Sequence, residues 1–477
     1  MRIKKIFHVD AITALGIKVV ILSVMMFSCN SEGDALTEEG DDVTLPKLIS
    51  SYPANGASEI PIGKLSATFT FDQDIKTFSD KKSQITINNG GIINHISTSG
   101  KILTIEIDKL CNNQIYEINI GAGVIFGTDQ KTAPHIQITF STVRNLPEVS
   151  NELCTPNPLP QTQKVFDYLV EQYGKKTLSA SMAKVSFNTE EAEMVHCSTG
   201  KYPAINFVNY IFLNPSGTGR WIDYGNLSQM EQWWNDGGLI GACWHWEVPT
   251  SKDVIIKDDN TNATYSPFET TFRAKNIFVD GSWEQKIAND DLKKMAVYLK
   301  MFQDKNIPVI WRPLHEGAGN IYEYKGGEAW FWWGADGAEV YKKLWAYMFE
   351  FFQKEGINNL IWVWTTQTKD NDFYPGDAYV DIVSRDLYNQ EKGADNASQY
   401  NTILHTYSNK IIALSEFGGI APISEQWNAG ARWSFFMPWY DYNAKDLKEH
   451  TCANEVWWKD AFNQDYVITR DELPSFK

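Results

Sequence analysis

The stretch DDLKKMAVYLKMFQDKNIPVIWRPLHE, residues 290–316, contains a helix pattern and a strand pattern in succession. Apolar residues recur every three or four positions over 290–303, which predicts an amphipathic helix. The run 307–312 that follows is short and almost wholly apolar, as is typical of a parallel strand buried on both faces. Because helices alternating with such strands build α/β folds, this stretch predicts an α/β domain.

The same alternation continues on both sides of this stretch. A second helix pattern covers 338–354, and the other apolar runs predicted as strands are 177–181, 204–208, 239–246, 360–364, 380–386, 411–416 and 435–439. Eight strand and helix units in roughly three hundred residues predict a (β/α)8 TIM barrel, with an open doubly wound sheet as the alternative. In such a barrel the active site lies at the C-terminal ends of the strands.

Composition limits the class of protein. The 477 residues are 43% apolar and 21% charged, with a mean hydropathy of −0.34, which excludes a disordered chain and a multi-span membrane protein. This length favours two folded units. The formal net charge of −16 repels phosphate backbones, so nucleic acid is not expected as a partner and a neutral ligand is favoured.

Residues 1–28 have the pattern of a signal peptide, with basic residues at the start and an apolar run over 19–27. Ser28-Cys29 resembles a bacterial lipobox, which implies lipidation of Cys29, and a plain secretory signal is the alternative. Residues 29–44 form an acidic tether that resembles the surface-export signals of Bacteroidota lipoproteins. The expected location is therefore the outer membrane, with the protein held by a lipid anchor and exposed at the cell surface.

The cysteines do not predict a metal site or a disulfide framework. Lipidation of Cys29 leaves an odd number, and no C-x-x-C spacing occurs. The positions are Cys29, Cys111, Cys154, Cys197, Cys243 and Cys452.

Residues 45–143 predict a β-sandwich, because short apolar runs are separated by turn residues. These runs are 67–71, 84–87, 103–107, 116–120 and 136–140. The segments ISSYPANG (49–56), TFTF (68–71) and ITF (138–140) resemble bacterial Ig-like modules that precede extracellular enzymes. The module is interpreted as a spacer, with sugar binding as the alternative. A proline-rich linker over 144–161 separates it from a second domain, 162–477.

Two glutamates follow predicted barrel strands at their C-terminal ends. Glu316 comes after the strand 307–312, and Glu416 ends the strand 411–416. Paired carboxyl groups suit glycoside cleavage, in which one protonates the leaving oxygen and the other attacks the anomeric carbon or activates water. Ordinary ion pairs at strand ends are the alternative interpretation.

The 18 tryptophans include tandem pairs at 233–234, 332–333 and 457–458. Adjacent side chains on one strand or helix cannot share a face, so some of these rings are expected to line a sugar-binding groove.

The string WRPLHE (311–316) followed by WFWWG (330–334) is similar to the acid/base signature of glycoside hydrolase family 26, and SEFG (415–418) resembles its nucleophile strand. The resemblance covers about residues 165–470. It implies a (β/α)8 fold, no cofactor, and retaining endo-β-1,4-mannanase activity on mannan, glucomannan or galactomannan. The family also includes β-1,3-xylanases and mixed-linkage β-glucanases, and a non-catalytic glycan-binding lipoprotein is a further alternative. A monomer is expected.

The resemblance also implies individual roles. Glu316 matches the general acid/base and Glu416 the nucleophile, while Tyr388 is placed to touch the Glu416 carboxylate and Trp439 to form the floor of the cleavage subsite. His315 is expected to orient the nucleophile side of the site. The positions expected to bind substrate are His245, Trp246, Trp283, Arg312, His315, Trp330, Trp333, Asp386, Tyr388 and Trp439.

Two features depart from the family pattern. Residues 317–329 form a longer loop than in the simplest members, and Tyr440 stands where some mannanases place an arginine. In a retaining site the carboxyl groups lie about 5–5.5 Å apart. Glu416 must then be ionised, while like-charge repulsion keeps Glu316 protonated and Arg312 can hold a carboxylate.

Overall fold

The computed structural model describes residues 45–60, 63–110, 114–142, 148–185, 187–213, 222–256 and 261–477. The predicted signal peptide, the lipidation site Cys29 and the acidic tether lie outside these residues. In the described part of the chain, no helix combines the length and the apolar character needed to cross a bilayer.

The N-terminal module is a sandwich of two four-stranded sheets, which confirms the predicted Ig-like architecture. The sheets have the strand orders β1-β3-β7-β6 and β2-β10-β8-β5, and β4 pairs with β9. Alternate residues of β7, such as Leu103, Ile105 and Ile107, are buried between the sheets. The strands are β1 (Leu48–Tyr52), β2 (Ala57–Ile60), β3 (Gly63–Phe71), β4 (Ile75–Thr77), β5 (Ile85–Ile87), β6 (Ile92–Ser99), β7 (Ile102–Leu110), β8 (Ile115–Ile120), β9 (Ile125–Gly127) and β10 (Ile136–Thr142).

The second domain is a closed parallel barrel, which confirms the TIM-barrel prediction over the open sheet. Its strand order is β12-β13-β16-β17-β18-β19-β20-β11, and pairing of β11 with β12 closes the ring. Each predicted strand corresponds to an observed one. The strands are β11 (Thr177–Met182), β12 (Ile205–Asn209), β13 (Leu239–Trp244), β14 (Val248–Pro249), β15 (Ala263–Thr264), β16 (Val309–Pro313), β17 (Leu360–Thr366), β18 (Ile382–Tyr388), β19 (Ile411–Gly418), β20 (Phe435–Pro438) and β21 (Val467–Ile468).

Amphipathic helices connect the barrel strands. In α4 the residues Leu292, Met295 and Leu299 are buried, as the helical spacing predicts. This helix begins at Trp283, ahead of the predicted start, because the Ser282 side chain accepts a hydrogen bond from the backbone of Gln285. The helices are α1 (Pro160–Gln172), α2 (Glu190–Thr199), α3 (Ser228–Asn235), α4 (Trp283–Gln303), α5 (Ala338–Lys354), α6 (Gly393–Thr406), α7 (Ile423–Asn428) and α8 (Glu455–Phe462). Short 3-10 helices are Ser79–Gln84, Ala274–Phe278, Asn371–Phe373, Asp377–Tyr379 and Arg470–Glu472.

The tandem tryptophans fill the core and do not form the predicted sugar-binding groove at the barrel opening, so that prediction was wrong; Trp234 borders a surface cleft beside Asn235 and Lys477. All six rings are buried. On α8, Trp457 packs on Phe417 and Phe436, and Trp458 packs on Phe436 and Phe462. Neighbouring helix positions diverge by only about 100°, so a helix flanked on several sides can bury both rings.

Candidate active site

The backbone after β16 turns sharply and separates the side chains of His315 and Glu316. Leu314 (φ 45°) and Glu316 (φ 52°) both have left-handed backbone conformations, on either side of His315. Such conformations cost on the order of 1–3 kcal/mol each and persist where the surroundings hold them. In a continuing strand His315 and Glu316 would face opposite ways. Because of the turn, the His315 side chain packs into the core and the Glu316 side chain points to the barrel opening.

A bulge in β19 positions the other glutamate. Arg385 of β18 pairs with Leu414, but Asp386 pairs with Glu416, so Ser415 is the extra residue. The Ser415 hydroxyl donates to Asp386 Oδ1 at 2.7 Å. The bulge therefore brings Ser415 and Glu416 to the same side of the strand, beside Asp386.

Arg312 joins these carboxylates inside the barrel. Its Nη1 donates to Glu416 Oε2 at 3.0 Å, its Nη2 donates to Asp386 Oδ2, and its Nε donates to Thr365 Oγ1 at 3.0 Å. The Tyr388 hydroxyl donates to the other Glu416 oxygen, Oε1, at 2.6 Å. Glu416 thus receives a cationic donor and a phenolic donor, both of which stabilise a carboxylate.

Glu316 has different surroundings. Its Oε1 accepts a hydrogen bond from the Gln367 side-chain amide at 3.0 Å, a neutral donor. Burial, together with the charges of Asp386 and Glu416, raises the pKa of Glu316 well above its usual range. Burial and Asp386 also raise the pKa of Glu416, to about 7, but Arg312 and Tyr388 oppose that rise. These surroundings favour the protonated form at Glu316 and the ionised form at Glu416.

Two neutral histidines pack beside the glutamates. Burial, and to a smaller extent the charge of Arg312, lowers the pKa of His245 to about 3. Burial, the charge of Arg312 and the neighbouring His245 lower the pKa of His315 well below its usual range. The rings contact edge to face with centroids 4.5 Å apart, and His245 Nδ1 lies 3.0 Å from the Asn209 amide nitrogen. A neutral His245 can offer a hydrogen bond to a sugar hydroxyl without adding charge.

Several predicted substrate-binding residues have accessible side chains. Tyr388 is 41% exposed, Trp330 is 39% exposed, and Trp439 is half-buried with its ring 5.7 Å from that of His245. Trp283 is half-buried at the start of α4, where it packs edge-on against Phe272. Exposed or half-buried rings can stack against the C–H faces of sugars.

Other predicted substrate contacts need correction. Trp246 and Trp333 are fully buried in the core behind the groove. The Trp246 indole N–H donates to Asp291, and the Trp333 indole N–H donates to the carbonyl of His315. The structure therefore places the side chains of Trp246, Arg312, His315, Trp333 and Asp386 behind the accessible surface.

His315 does not orient the nucleophile as expected. Its ring packs against His245, Phe331 and Trp333. Arg312 and Tyr388 hold Glu416 instead.

The loop 317–329 and Tyr440, the two departures from the pattern, both lie beside the site. The Tyr322 hydroxyl in this loop donates to Asp372, which joins the loop to the segment after β17. The ring of Tyr440 lies 5.3 Å from that of Trp439. Both features therefore help to shape the walls of the groove.

Two polar residues of the site were missed from the sequence. Asn209 ends β12 and holds His245, and Gln367 follows β17 and contacts Glu316. Neither side chain is titratable, so the search for charged groups at strand ends does not predict them. The same rule extended to side-chain amides would have found both, since each directly ends or follows an apolar strand.

Comparison with known proteins decides the family. The family model described as glycosyl hydrolase family 26 matches residues 154–472, which include both glutamates and the whole barrel. The chain belongs to glycosyl hydrolase family 26. A second family model, the bacterial Ig-like domain, matches residues 42–142.

The chain is also similar to proteins named as mannan endo-1,4-beta-mannosidases. Mannan endo-1,4-beta-mannosidase A of Piromyces sp is 31% identical over 332 residues, 68% of this chain and 51% of that protein. The Thermothelomyces thermophilus mannan endo-1,4-beta-mannosidase is 31% identical over 355 residues, 72% of this chain and 67% of that protein. The chain thus spans about half the length of the Piromyces relative.

Solved family 26 structures share the fold. The GH26 domain of an endo-beta-mannanase/endo-beta-glucanase from Prevotella bryantii is 38% identical with a TM-score of 0.64, covering 68% of this chain and 99% of that domain. A beta-mannanase from a symbiotic protist of the termite Reticulitermes speratus, complexed with gluco-manno-oligosaccharide, is 32% identical with a TM-score of 0.58. The match covers 69% of this chain and 99% of that protein.

Proposed function

We propose that this protein is a retaining endo-β-1,4-mannanase that hydrolyses internal bonds of mannan, glucomannan or galactomannan. The unequal hydrogen bonding of the two glutamates carries the proposal. Glu416 accepts from Arg312 and Tyr388, whereas Glu316 accepts from an uncharged amide. Two donors, one of them cationic, stabilise Glu416 in its ionised form, whereas burial and the charges of Asp386 and Glu416 outweigh the single neutral donor and keep Glu316 protonated. This is the division of roles that double displacement needs.

The reaction follows from these protonation states. A Glu416 oxygen bonds to the anomeric carbon while the bond from that carbon to the leaving oxygen breaks, and the proton of Glu316 passes to the leaving oxygen. Esterification removes the negative charge of Glu416, so Glu316 remains ionised. It then takes a proton from water, whose oxygen attacks the anomeric carbon and releases Glu416. The phenol of Tyr388 remains protonated, because burial and Glu416 raise its pKa well above the usual value.

The names of the relatives support mannan as the substrate. The Piromyces and Thermothelomyces proteins are both named as mannan endo-1,4-beta-mannosidases. The Prevotella protein is also named as an endo-beta-glucanase, which supports a β-glucan as the second candidate substrate. β-1,3-Xylan is a further candidate that rests on the family resemblance alone. A glycan-binding protein without catalysis has no use for a carboxylate pair held in unequal protonation states.

We further propose that the protein is a monomeric lipoprotein, anchored in the outer membrane through Cys29 and facing outward. The basic start, the apolar run over 19–27 and the acidic residues after Cys29 support this proposal. Metabolic labelling with a palmitate analogue tests it. We expect label in the membrane fraction for the wild type, and labelling of Cys29→Ser would contradict the anchor.

The enzymatic proposal is tested by measuring reducing ends and product sizes from mannan, glucomannan, galactomannan, β-1,3-xylan and mixed-linkage glucan. We expect short manno-oligosaccharides from the wild type. Glu416→Ala should lose activity by several orders of magnitude because it lacks the nucleophile. Glu350→Ala, at an exposed glutamate of the outer helix α5, is the matched control and should remain active.

Activity on another polymer alone would keep the mechanism and change the substrate. Substantial turnover by Glu416→Ala would contradict the assignment of the nucleophile. Binding to these glycans without hydrolysis of any would support the binding-protein alternative.

A further inference from the structure

The turn that follows β17 is closed by one buried carboxylate. Asp370 is 1% exposed, and its Oδ1 accepts a hydrogen bond from the Thr366 hydroxyl at 2.6 Å. Its Oδ2 accepts from the backbone N–H of Gln367 at 2.7 Å. Because one side chain holds two consecutive residues, the backbone of Gln367 has a defined orientation.

A buried arginine holds the same turn from β18. Arg385 Nη1 donates to the Thr366 carbonyl at 3.2 Å, and Nη2 donates to the Thr368 hydroxyl at 3.2 Å. Asp370 and Arg385 therefore hold the turn from two sides with opposite charges, while the Gln367 side chain itself is uncharged. Such a support is what a precisely placed side chain in a site requires.

The Gln367 amide uses this support to reach Glu316. Its Nε2 lies 3.0 Å from Glu316 Oε1. Among the described residues, this is the side-chain hydrogen bond that the structure shows for the Glu316 carboxyl group. We propose that Gln367 is a positioning residue that determines which oxygen of Glu316 carries the catalytic proton. This inference rests on the proposed mannanase function.

The hydrogen bond from Gln367 determines the position of the proton on Glu316. The Gln367 amide donates to Oε1, and in a protonated carboxyl group the carbonyl oxygen is a much stronger acceptor than the hydroxyl oxygen, so Oε1 is the carbonyl oxygen of Glu316. The proton of Glu316 therefore sits on Oε2 and passes from there to the leaving glycosidic oxygen. In the second half of the reaction Oε2 takes a proton from the attacking water, while Oε1 keeps its bond to Gln367.

The other groups around Glu316 cannot replace this amide. Arg312 is bound to Glu416 and Asp386, and Arg385 donates to the turn. A cation bonded directly to Glu316 would favour its ionised form before the reaction, whereas a neutral amide supports the ionised form more weakly. The charged or titratable groups that act on Glu316 are Arg312, Arg385, Asp386, Tyr388 and Glu416.

Gln367→Met tests the proposal, because methionine has a similar length and no N–H donor. We expect kcat to fall roughly tenfold, with KM near the wild-type value. The alkaline limb of the pH profile of kcat/KM should move up by about one pH unit, because the ionised form of Glu316 loses a donor. Gln353→Met, on the outer helix α5, is the matched control and should change neither quantity.

A second measurement does not depend on turnover. The pKa of Glu316 is followed by carbon NMR of protein labelled at the glutamate carboxyl carbons, with Glu316→Gln identifying the signal. We expect a higher pKa in Gln367→Met than in the wild type. An equal or lower pKa would overturn the role of Gln367, even with kcat reduced, since a purely structural defect leaves the pKa in place. A wild type that cleaves no polymer would overturn the proposed function, and the NMR comparison would still decide the role of Gln367.

Discussion

Arg312 connects five barrel strands through one buried guanidinium group. It belongs to β16 and donates to Thr365 on β17, Asp386 on β18 and Glu416 on β19, with its Nη1 also 3.5 Å from Cys243 Sγ on β13. A buried charge is tolerated only when it is paired and hydrogen-bonded. The ion pairs that orient Glu416 therefore also compensate the charge of Arg312 buried at the centre of the barrel.

Asp291 is a buried carboxyl that supports the wall of the site. Its Oδ2 accepts from the Trp246 indole at 2.7 Å, and burial raises its pKa to about 8 despite that hydrogen bond. Its ordinary pKa is 3.8, so between about pH 4 and 8 the folded protein binds a proton that the unfolded chain does not. The free energy of unfolding should therefore fall with rising pH across this window, by at most about 1.4 kcal/mol per pH unit from this residue.

Asp291→Asn should remove that dependence, because an amide accepts the same indole hydrogen bond without ionising. Denaturant unfolding at pH 5 and pH 8, followed by tryptophan fluorescence, measures it. We expect a smaller difference between the two pH values than in the wild type. Asp290→Asn, on the exposed side of α4, is the control, and an equal difference in both variants would contradict the prediction.

At the scale of elements, the loop after β16 depends on a close backbone contact. A Cβ added to Gly334 would lie 1.6 Å from the carbonyl oxygen of Gly317, the residue next to Glu316. Gly334→Ala should therefore displace the acid and lower kcat by roughly 10²-fold, the cost expected of a misplacement of about 1 Å.

The matched control is Gly356→Ala at the end of α5. Gly356 has a φ of 73° with open space around its Cα, so alanine there should cost about 1 kcal/mol of stability without changing kcat. Steady-state kinetics and denaturant unfolding of both variants make the comparison. Full activity in Gly334→Ala would show that the contact does not position Glu316.

At the scale of the whole molecule, the two modules have separate cores. The apolar cluster of the Ig-like module shares no residue with that of the barrel among the described residues. A surface ion pair of 3.2 Å joins Glu59 of one module to Arg432 of the other, and such pairs contribute about 0–1 kcal/mol. We therefore expect the modules to unfold independently.

The residues 148–477 expressed alone should unfold within about 4 °C of the barrel transition in the full chain. Tryptophan fluorescence reports the barrel specifically, because residues 45–143 contain no tryptophan. Glu59→Gln in the full chain is the control for the ion pair and should leave the midpoint unchanged. A much larger fall in the shortened chain would show that the Ig-like module stabilises the barrel.

Local sequence patterns predict the barrel, the Ig-like module and the two glutamates. Strand burial, helical spacing and the position of Glu316 and Glu416 after apolar runs are local patterns, and the (β/α)8 rule converts them into one site. The family motifs added the predicted roles of individual residues.

Only the tertiary structure decided which side chains reach the groove. Trp246 and Trp333 are buried, and Gln367 reaches Glu316 from a strand end 51 residues away. The extra residue at Ser415 and the left-handed turns around His315 rotate side chains in ways that no periodicity records. These orientations depend on strand register and on contacts between residues distant in the chain, so a local pattern does not contain them.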